Sequence, residues 1–218
     1  MASSKDPVLI VGLGRFGLSL ARELTSMSTP VFAVDADLEA VQHASFTVPN
    51  VVQANCTDID ALRQIGAQDF TRGVVAIGSD IEASILAVSL LSDLGLHEIW
   101  AKASTTQHAR ILKRVGATHV VQPERDTGER VAHQIGERLL DYIEIDPQWV
   151  LARVKPPQDL VGVPLGGTKV RKKRGVTVVG VKQPGSPGFT YCDADTVLAY
   201  GDEILIMGTP EAVSHFSE

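Results

Sequence analysis

Gly12, Gly14 and Gly17, in the stretch "VLIVGLGRFG" at residues 8–17, have the types and spacing of a turn that grips phosphates. The first glycine permits a tight turn, the second lets the backbone approach a pyrophosphate, and the third allows a helix to pack closely on a strand. A helix opening at Arg15 would aim its unpaired N–H groups and the positive end of its dipole at that pyrophosphate. Asp35 follows about 20 residues later, where a carboxylate can bind ribose hydroxyls. Its charge disfavours a 2′-phosphate and hence NADP, whereas NAD, ATP and ADP offer the same adenosine ribose. Arg15 adds a permanent, multiply donating cation inside the turn. That excess of positive charge suits a further phosphate, such as the γ-phosphate of ATP; the alternative is a solvated arginine at a helix start.

The glycine turn works only if a strand precedes it and a helix follows. Short runs rich in Val and Ile, bounded by turn residues, predict strands at Val8–Val11, Val31–Val34, Val51–Gln53, Val74–Ile77, Glu98–Ala101 and His119–Val121. Between them, helices are expected at about Arg15–Met27, Leu38–Ser45, Ile59–Ile65, Ile81–Leu94 and Thr106–Val115. Strands that are apolar throughout imply a sheet covered on both faces, which is an α/β, doubly wound parallel sheet of the Rossmann kind. A further helix is expected from about Asp126 to Tyr142, with Val131, Ile135 and Leu139 on one stripe. Such a stripe either packs back on its own domain or crosses to a second subunit.

After Asp146-Pro147 the rhythm changes. "WVLARVKPP" and "VTVVGVK" read as strands, with "VPLGGTKVRKKRG" between them as one helix that has Pro164 near its first turn and Gly175 after its end. "PGSPG" is a turn, and "GDEILIMG" is a strand before a last helix capped by Thr209 with Pro210 at its first position. The expected organisation is a nucleotide-binding domain over residues 1–140 and a small α+β regulatory or dimerisation domain over 141–218.

Composition bounds the rest. The 218 residues are 44% hydrophobic and 21% charged, as in ordinary globular chains. A net charge of -6 argues against a nucleic-acid partner, since that affinity rests on neutralising phosphates. Cys56 and Cys192 lie far apart and form no metal-type cluster, which fits a reducing cytoplasm. "MASSKDP" lacks an apolar run, and no stretch approaches the roughly 18 apolar residues of a membrane span, so membrane contact is expected only through a partner.

Catalytic groups are harder to find. A dehydrogenase needs an acid or base beside the nicotinamide, yet no Tyr-x-x-x-Lys pair occurs at Tyr142, Tyr191 or Tyr200. His43, His97, His108, His119, His133 and His215 are scattered without metal-ligand spacing. His108 alone falls just after a strand on the presumed ligand side. The reading is therefore of a nucleotide site that is not an enzyme, with a small NAD-dependent oxidoreductase as the alternative.

Several ordered motifs, "VLIVGLGRFG", "AVDAD", "QANCTD", "VVAIGSDIEASILAVSLLSDLG", "IWAKA" and "VVQPERDTGERVA", resemble the N-terminal half of the RCK proteins of the KtrA/TrkA family. "LVGVPLGG", "RGVTVVGVK" and "VLAYGDEILIMGTPEAVSHF" resemble the C-terminal half. The resemblance implies a cytoplasmic regulator, peripheral at the membrane, whose dimers assemble into an octameric ring beneath a membrane-embedded potassium transporter or channel subunit. ATP or ADP, or NAD/NADH, would select the ring shape. Carried over position by position, Gly12, Gly14, Arg15, Phe16 and Gly17 form the phosphate turn, with Arg15 sensing a γ-phosphate across a subunit contact. Asp35, Ala36 and Asp37 would meet the ribose, and Asn55, Cys56 and Thr57 the adenine edge. Gly78, Lys102 and His108 would lie by the phosphates, with Ile77 and Ala103 completing the set. Glu124 matches an acid associated with a Mg, Ca or Na ion near the phosphates; a first-turn acid facing the helix dipole is the plainer reading. The family carries bulky aliphatic residues in a cleft that takes cyclic di-AMP, and Gly166 and Gly167 interrupt that stretch here, which argues against this ligand. The run Lys169, Arg171, Lys172, Lys173 and Arg174 reads as a solvated helix face, with a cyclic dinucleotide or lipid headgroups as the alternative.

Overall fold

The computed structural model describes residues 6–136 and 139–216, without the side chains of 133 and 134. Contacts divide the chain into two compact units, 1–124 and 125–218. The division falls earlier than the expected boundary at 140.

The first unit is the doubly wound sheet. Strands β1 (Val8–Val11), β2 (Val31–Asp35), β3 (Val51–Gln53), β4 (Arg72–Val75), β5 (Glu98–Lys102) and β6 (His119–Val121) form a six-stranded parallel sheet in the order β3-β2-β1-β4-β5-β6. Helices α1 (Arg15–Ser26), α2 (Leu38–Ser45), α3 (Ile59–Gln64), α4 (Ile81–Asp93) and α5 (Thr106–Arg114) connect them. Because alternate strand residues point to opposite faces, Leu9 and Val11 enter one core and Val8 and Ile10 the other. The strand order reverses between β1 and β4, which leaves a crevice beyond the carboxyl ends of the strands. Strand β4 begins at Arg72, two residues before the expected start, because Arg72 pairs in register with Val8; Ala76 and Ile77 lie past the strand and line the crevice.

Helix α6 (Pro123–Gly136) starts three residues before the predicted helix, with Pro123 at its first position, where the missing N–H costs no bond. Residues 137 and 138, inside the predicted helix, lie outside the described residues. Tyr142 is not helical: β7 (Asp141–Asp146) is a strand that pairs antiparallel with β8 (Trp149–Val154). The apolar stripe therefore divides. Val131 and Ile135 are 41% and 82% exposed, while Leu139 is buried in the core of the second unit.

That second unit is an antiparallel sheet in the order β10-β9-β11-β8-β7, completed by β9 (Thr177–Lys182), β10 (Thr190–Tyr191) and β11 (Glu203–Gly208). Strands β8 and β11 alternate cleanly, so Val150, Ala152, Val154, Ile204 and Ile206 face inward. Helix α9 (Pro210–Phe216) packs on β8 and β11, and Thr209 Oγ1 accepts the Ala212 N–H at 3.2 Å, as its cap sequence predicts. The single helix expected over "VPLGGTKVRKKRG" is instead α7 (Leu165–Thr168) and α8 (Val170–Arg174), broken at Lys169 with φ of +54°. Thr168 makes the break: its hydroxyl donates to the Leu165 carbonyl at 2.7 Å and accepts the Val170 N–H at 3.3 Å, satisfying backbone groups that a continuous helix would have paired.

Ile206 is fully buried at the centre of this small core. Ile206→Ala should destabilise the second unit by about 2–5 kcal/mol, measured as a lowered urea midpoint by far-ultraviolet circular dichroism.

Candidate functional site

Gly17 has no room for a side chain: an ideal Cβ there would stand 1.9 Å from the Gly12 carbonyl oxygen. Helix α1 therefore begins tight against the turn after β1. Gly12 itself has φ of +96°, which disfavours any residue with a Cβ. Helices α2, α3, α4 and α5 have their first turns capped by Asp37, Asp58, Asp80 and Thr105. The start of α1 is capped by Gly14, which has no side chain to offer, and no acid stands in its first turn. Its N–H groups and positive dipole end are left for an anion.

Asp35 braces the turn. Its Oδ2 accepts the Leu13 N–H at 2.6 Å and its Oδ1 the Asp37 N–H at 2.9 Å, so one carboxylate ties the glycine turn to the entry of α2. Each oxygen keeps further acceptor capacity for a ligand hydroxyl. Beside it, burial pushes the Cys56 thiol up to about 12, with the Asp35 charge adding to the effect, which keeps the sulfur protonated and unreactive. Asn55 Oδ1 accepts both the N–H and the hydroxyl of Thr57, which fixes the loop that enters α3.

These residues enclose a cavity of about 390 Å³. Gly12, Gly14, Asp35, Ala36, Asp37, Asn55, Cys56, Thr57, Ile77 and Gly78 all lie in its wall. The wall also contains Val11, Val34, Ala40, Ala54, Ala76, Ser79 and Ala83, none of which stood out in the sequence. Ser79 and Ala83 had a readable signal, because "GSD" follows an apolar run and supplies Asp80 as a helix cap. The apolar positions carried no signal beyond their place at strand and helix ends.

A second group gathers outside that wall. Lys102 Nζ lies 2.7 Å from Glu124 Oε1 and 5.8 Å from the centroid of the Phe16 ring. The hydrogen bond from Lys102 is the largest influence holding the Glu124 carboxyl below its usual range, and Arg15, which is exposed, contributes its charge. Arg15, Phe16, Lys102 and Glu124 thus form one electrostatic cluster. A carboxylate there fits a hard cation in donor chemistry, although among the described residues no three acidic, histidine or cysteine side chains converge on one point.

Ala103 and His108 do not line the cavity. Both are 1% exposed, and Ala103 belongs to the core beneath the sheet. His108 Nδ1 accepts the Ser104 N–H at 3.3 Å, and the Ser104 hydroxyl donates to the Gly78 carbonyl. The histidine therefore supports the Gly78 loop from behind. Burial alone lowers its pKa, and among the described residues its Nε2 has no hydrogen-bond partner.

Residues 8–123 match the TrkA-N domain model and residues 150–218 the TrkA-C domain model. The chain belongs to the TrkA family. Among curated relatives, it is 33% identical to the Ktr system potassium uptake protein C of Bacillus subtilis over 98% of this chain and 97% of that protein. It is 32% identical to the Ktr system potassium uptake protein A of Vibrio alginolyticus, covering 99% and 98%. The fold is that of solved RCK domains: the GsuK RCK domain superposes with a TM-score of 0.65 at 20% identity, and the GsuK channel bound to NAD with 0.66 at 20%. This TrkA-family chain covers 98% and 100% of itself in those superpositions but spans only 47% and 40% of the GsuK chains. Residues 124–149, which hold most of α6 and all of β7, fall between the two domain matches.

The His108 pKa, lowered in the folded chain, gives stability a definite pH sense. Above about pH 6.5 the ring is neutral in both states and has no effect. Below that, the unfolded chain takes up a proton that the folded chain resists, so stability falls with falling pH. His108→Asn, whose side-chain oxygen can still accept the Ser104 N–H, should flatten the loss of urea midpoint between about pH 7.5 and 5.5 relative to the parent protein.

Proposed function

We propose that this TrkA-family protein is a cytoplasmic nucleotide-sensing subunit that regulates potassium uptake through a membrane-embedded transporter or channel. The observation that carries the reading is the joining of two facts. The chain corresponds end to end with Ktr potassium uptake proteins, and its glycine turn, Asp35 and cavity have the size and chemistry of an adenosine phosphate site.

The ligand we infer is ATP or ADP, with NAD/NADH as the other adenosine ligand the site could accept. Solved chains of this fold include GsuK bound to NAD and GsuK bound to ADP. The uncapped start of α1 would hold the phosphates, Asp35 to Asp37 the ribose, and Asn55 to Thr57 the adenine edge. Glu124 and the phosphates would share any cation. The titratable side chains of the cavity wall support binding over chemistry: Asp35 and Asp37 are bonded to backbone N–H groups and Cys56 is held protonated. A ligand that is not consumed can act only through different affinities for two conformations, a difference of about 1–3 kcal/mol in typical allosteric proteins.

Among the described residues, no helix is long and apolar enough to cross a membrane, so the membrane link would run through a partner. Assembly into dimers and an octameric ring is supported by apolar surface at helix faces. Helix α4 is rich in apolar residues yet leaves Ile81 and Leu86 each 42% exposed, and Ile111 on α5 is also 42% exposed. Val131 and Ile135 on α6 offer a second such face, which favours the reading in which this helix crosses to another subunit.

Isothermal titration should give Kd values in about the micromolar range for ATP and ADP, with a native mass corresponding to an oligomer. Arg15→Ala should weaken ATP binding about tenfold more than ADP binding, as loss of one charge-assisted phosphate contact implies. Equal losses for both nucleotides would remove Arg15 from the γ-phosphate role, and retention of NADH by a monomer would favour an oxidoreductase.

A further inference from the structure

Lys102 stands where two anions can claim it. Its ammonium bonds Glu124 at 2.7 Å, and it also fills the space above Gly78, 3.0 Å from where a Cβ would be. Gly78 is part of the cavity wall and Phe16, beneath the ammonium, belongs to the glycine turn. The cation therefore borders the cavity wall at Gly78, where the proposed site would hold phosphates, and Glu124 is its partner in the folded chain. The pair is unevenly buried: the Lys102 side chain is 14% exposed and that of Glu124 is 66% exposed. Ion pairs with a partner so exposed are weak, whereas a diphosphate or triphosphate brings several negative oxygens to the same ammonium.

Glu124 is also the second residue of α6 and the last residue of the first compact unit. The ion pair thus fastens the beginning of that helix to the end of β5, 22 residues earlier in the chain. We propose that Lys102 exchanges Glu124 for the phosphates of a bound nucleotide, and that this exchange unfastens the first turn of α6. The inference rests on the nucleotide reading of the site and adds to it the device by which occupancy reaches the helix leading into the second unit. It assigns the sensing of phosphate charge within one subunit to Lys102, separately from Arg15.

The test is a double-mutant cycle read by titration with ADP in EDTA, which removes any contribution from a divalent cation at Glu124. Glu124→Gln should bind ADP about two- to fivefold more tightly than the parent, the range that release of a weak ion pair supplies. Lys102→Met should bind more weakly. Glu124→Gln added to Lys102→Met should give no gain, because the competition no longer exists. Hydrogen exchange supplies the second readout: ADP should speed exchange of amides 127–131 in the parent, and Glu124→Gln should show fast exchange there with or without ADP. A gain from Glu124→Gln that persists in the Lys102→Met background would mean simple repulsion between Glu124 and phosphate, and would overturn the exchange. Unchanged amide exchange on ADP binding would overturn it too. A parent protein that binds neither ADP nor ATP would instead sink the nucleotide reading, and the exchange with it.

Discussion

Everything around the crevice beyond the strand ends depends on one close approach, that of helix α1 to the turn after β1. The Gly12 carbonyl occupies the space that any side chain at position 17 would need. With glycine there, the helix starts within reach of the sheet and its uncapped first turn faces the crevice where strand order reverses. The same turn is fixed from the other side by Asp35, which binds the Leu13 N–H. A loop that was free to move would have to be ordered on binding, and that entropy would be subtracted from ligand affinity.

Behind the turn the residues separate by task. The cavity wall is built largely from small residues and short carboxylates, which keep hydrogen-bonding capacity beyond the backbone bonds they make. Support comes from a buried histidine, with His108 holding Ser104 and Ser104 holding the Gly78 carbonyl. Charge is gathered at one edge, where Lys102 bonds Glu124 and Arg15 adds its charge to the field at that carboxylate. Under the proposed function an adenosine ligand would act as an effector, and positively charged side chains at that edge would distinguish ligands by their phosphates.

The second unit has another kind of stability. Its core comes from clean alternation on β8 and β11 and from α9 lying over them, so it resembles a small α+β fold rather than an extension of the parallel sheet. The basic run there is not uniform. Arg174 is engaged by both Asp159 carboxylate oxygens and lies over the Phe216 ring, and Arg171 donates to Thr177, while Lys169, Lys172 and Lys173 are exposed.

The sequence by itself determined the parallel sheet, five of its helices to within a residue or so, and the glycine turn after β1, because apolar periodicity and turn chemistry are local properties. It also marked Asp35, whose spacing from the glycines follows from the length of one strand-helix-strand unit. What it could not determine were relations between distant residues. The end of α6 and the strand β7 depend on pairing with β8, and the break at Lys169 depends on one hydroxyl bonding two backbone groups at once. Burial put His108 behind the Gly78 loop and Ala103 in the core, which no local pattern announces. Only the folded chain sets Lys102 beside Glu124, since an ion pair across 22 residues leaves no periodic trace in sequence. Local rules specify which groups a segment can offer; tertiary packing decides which of them meet.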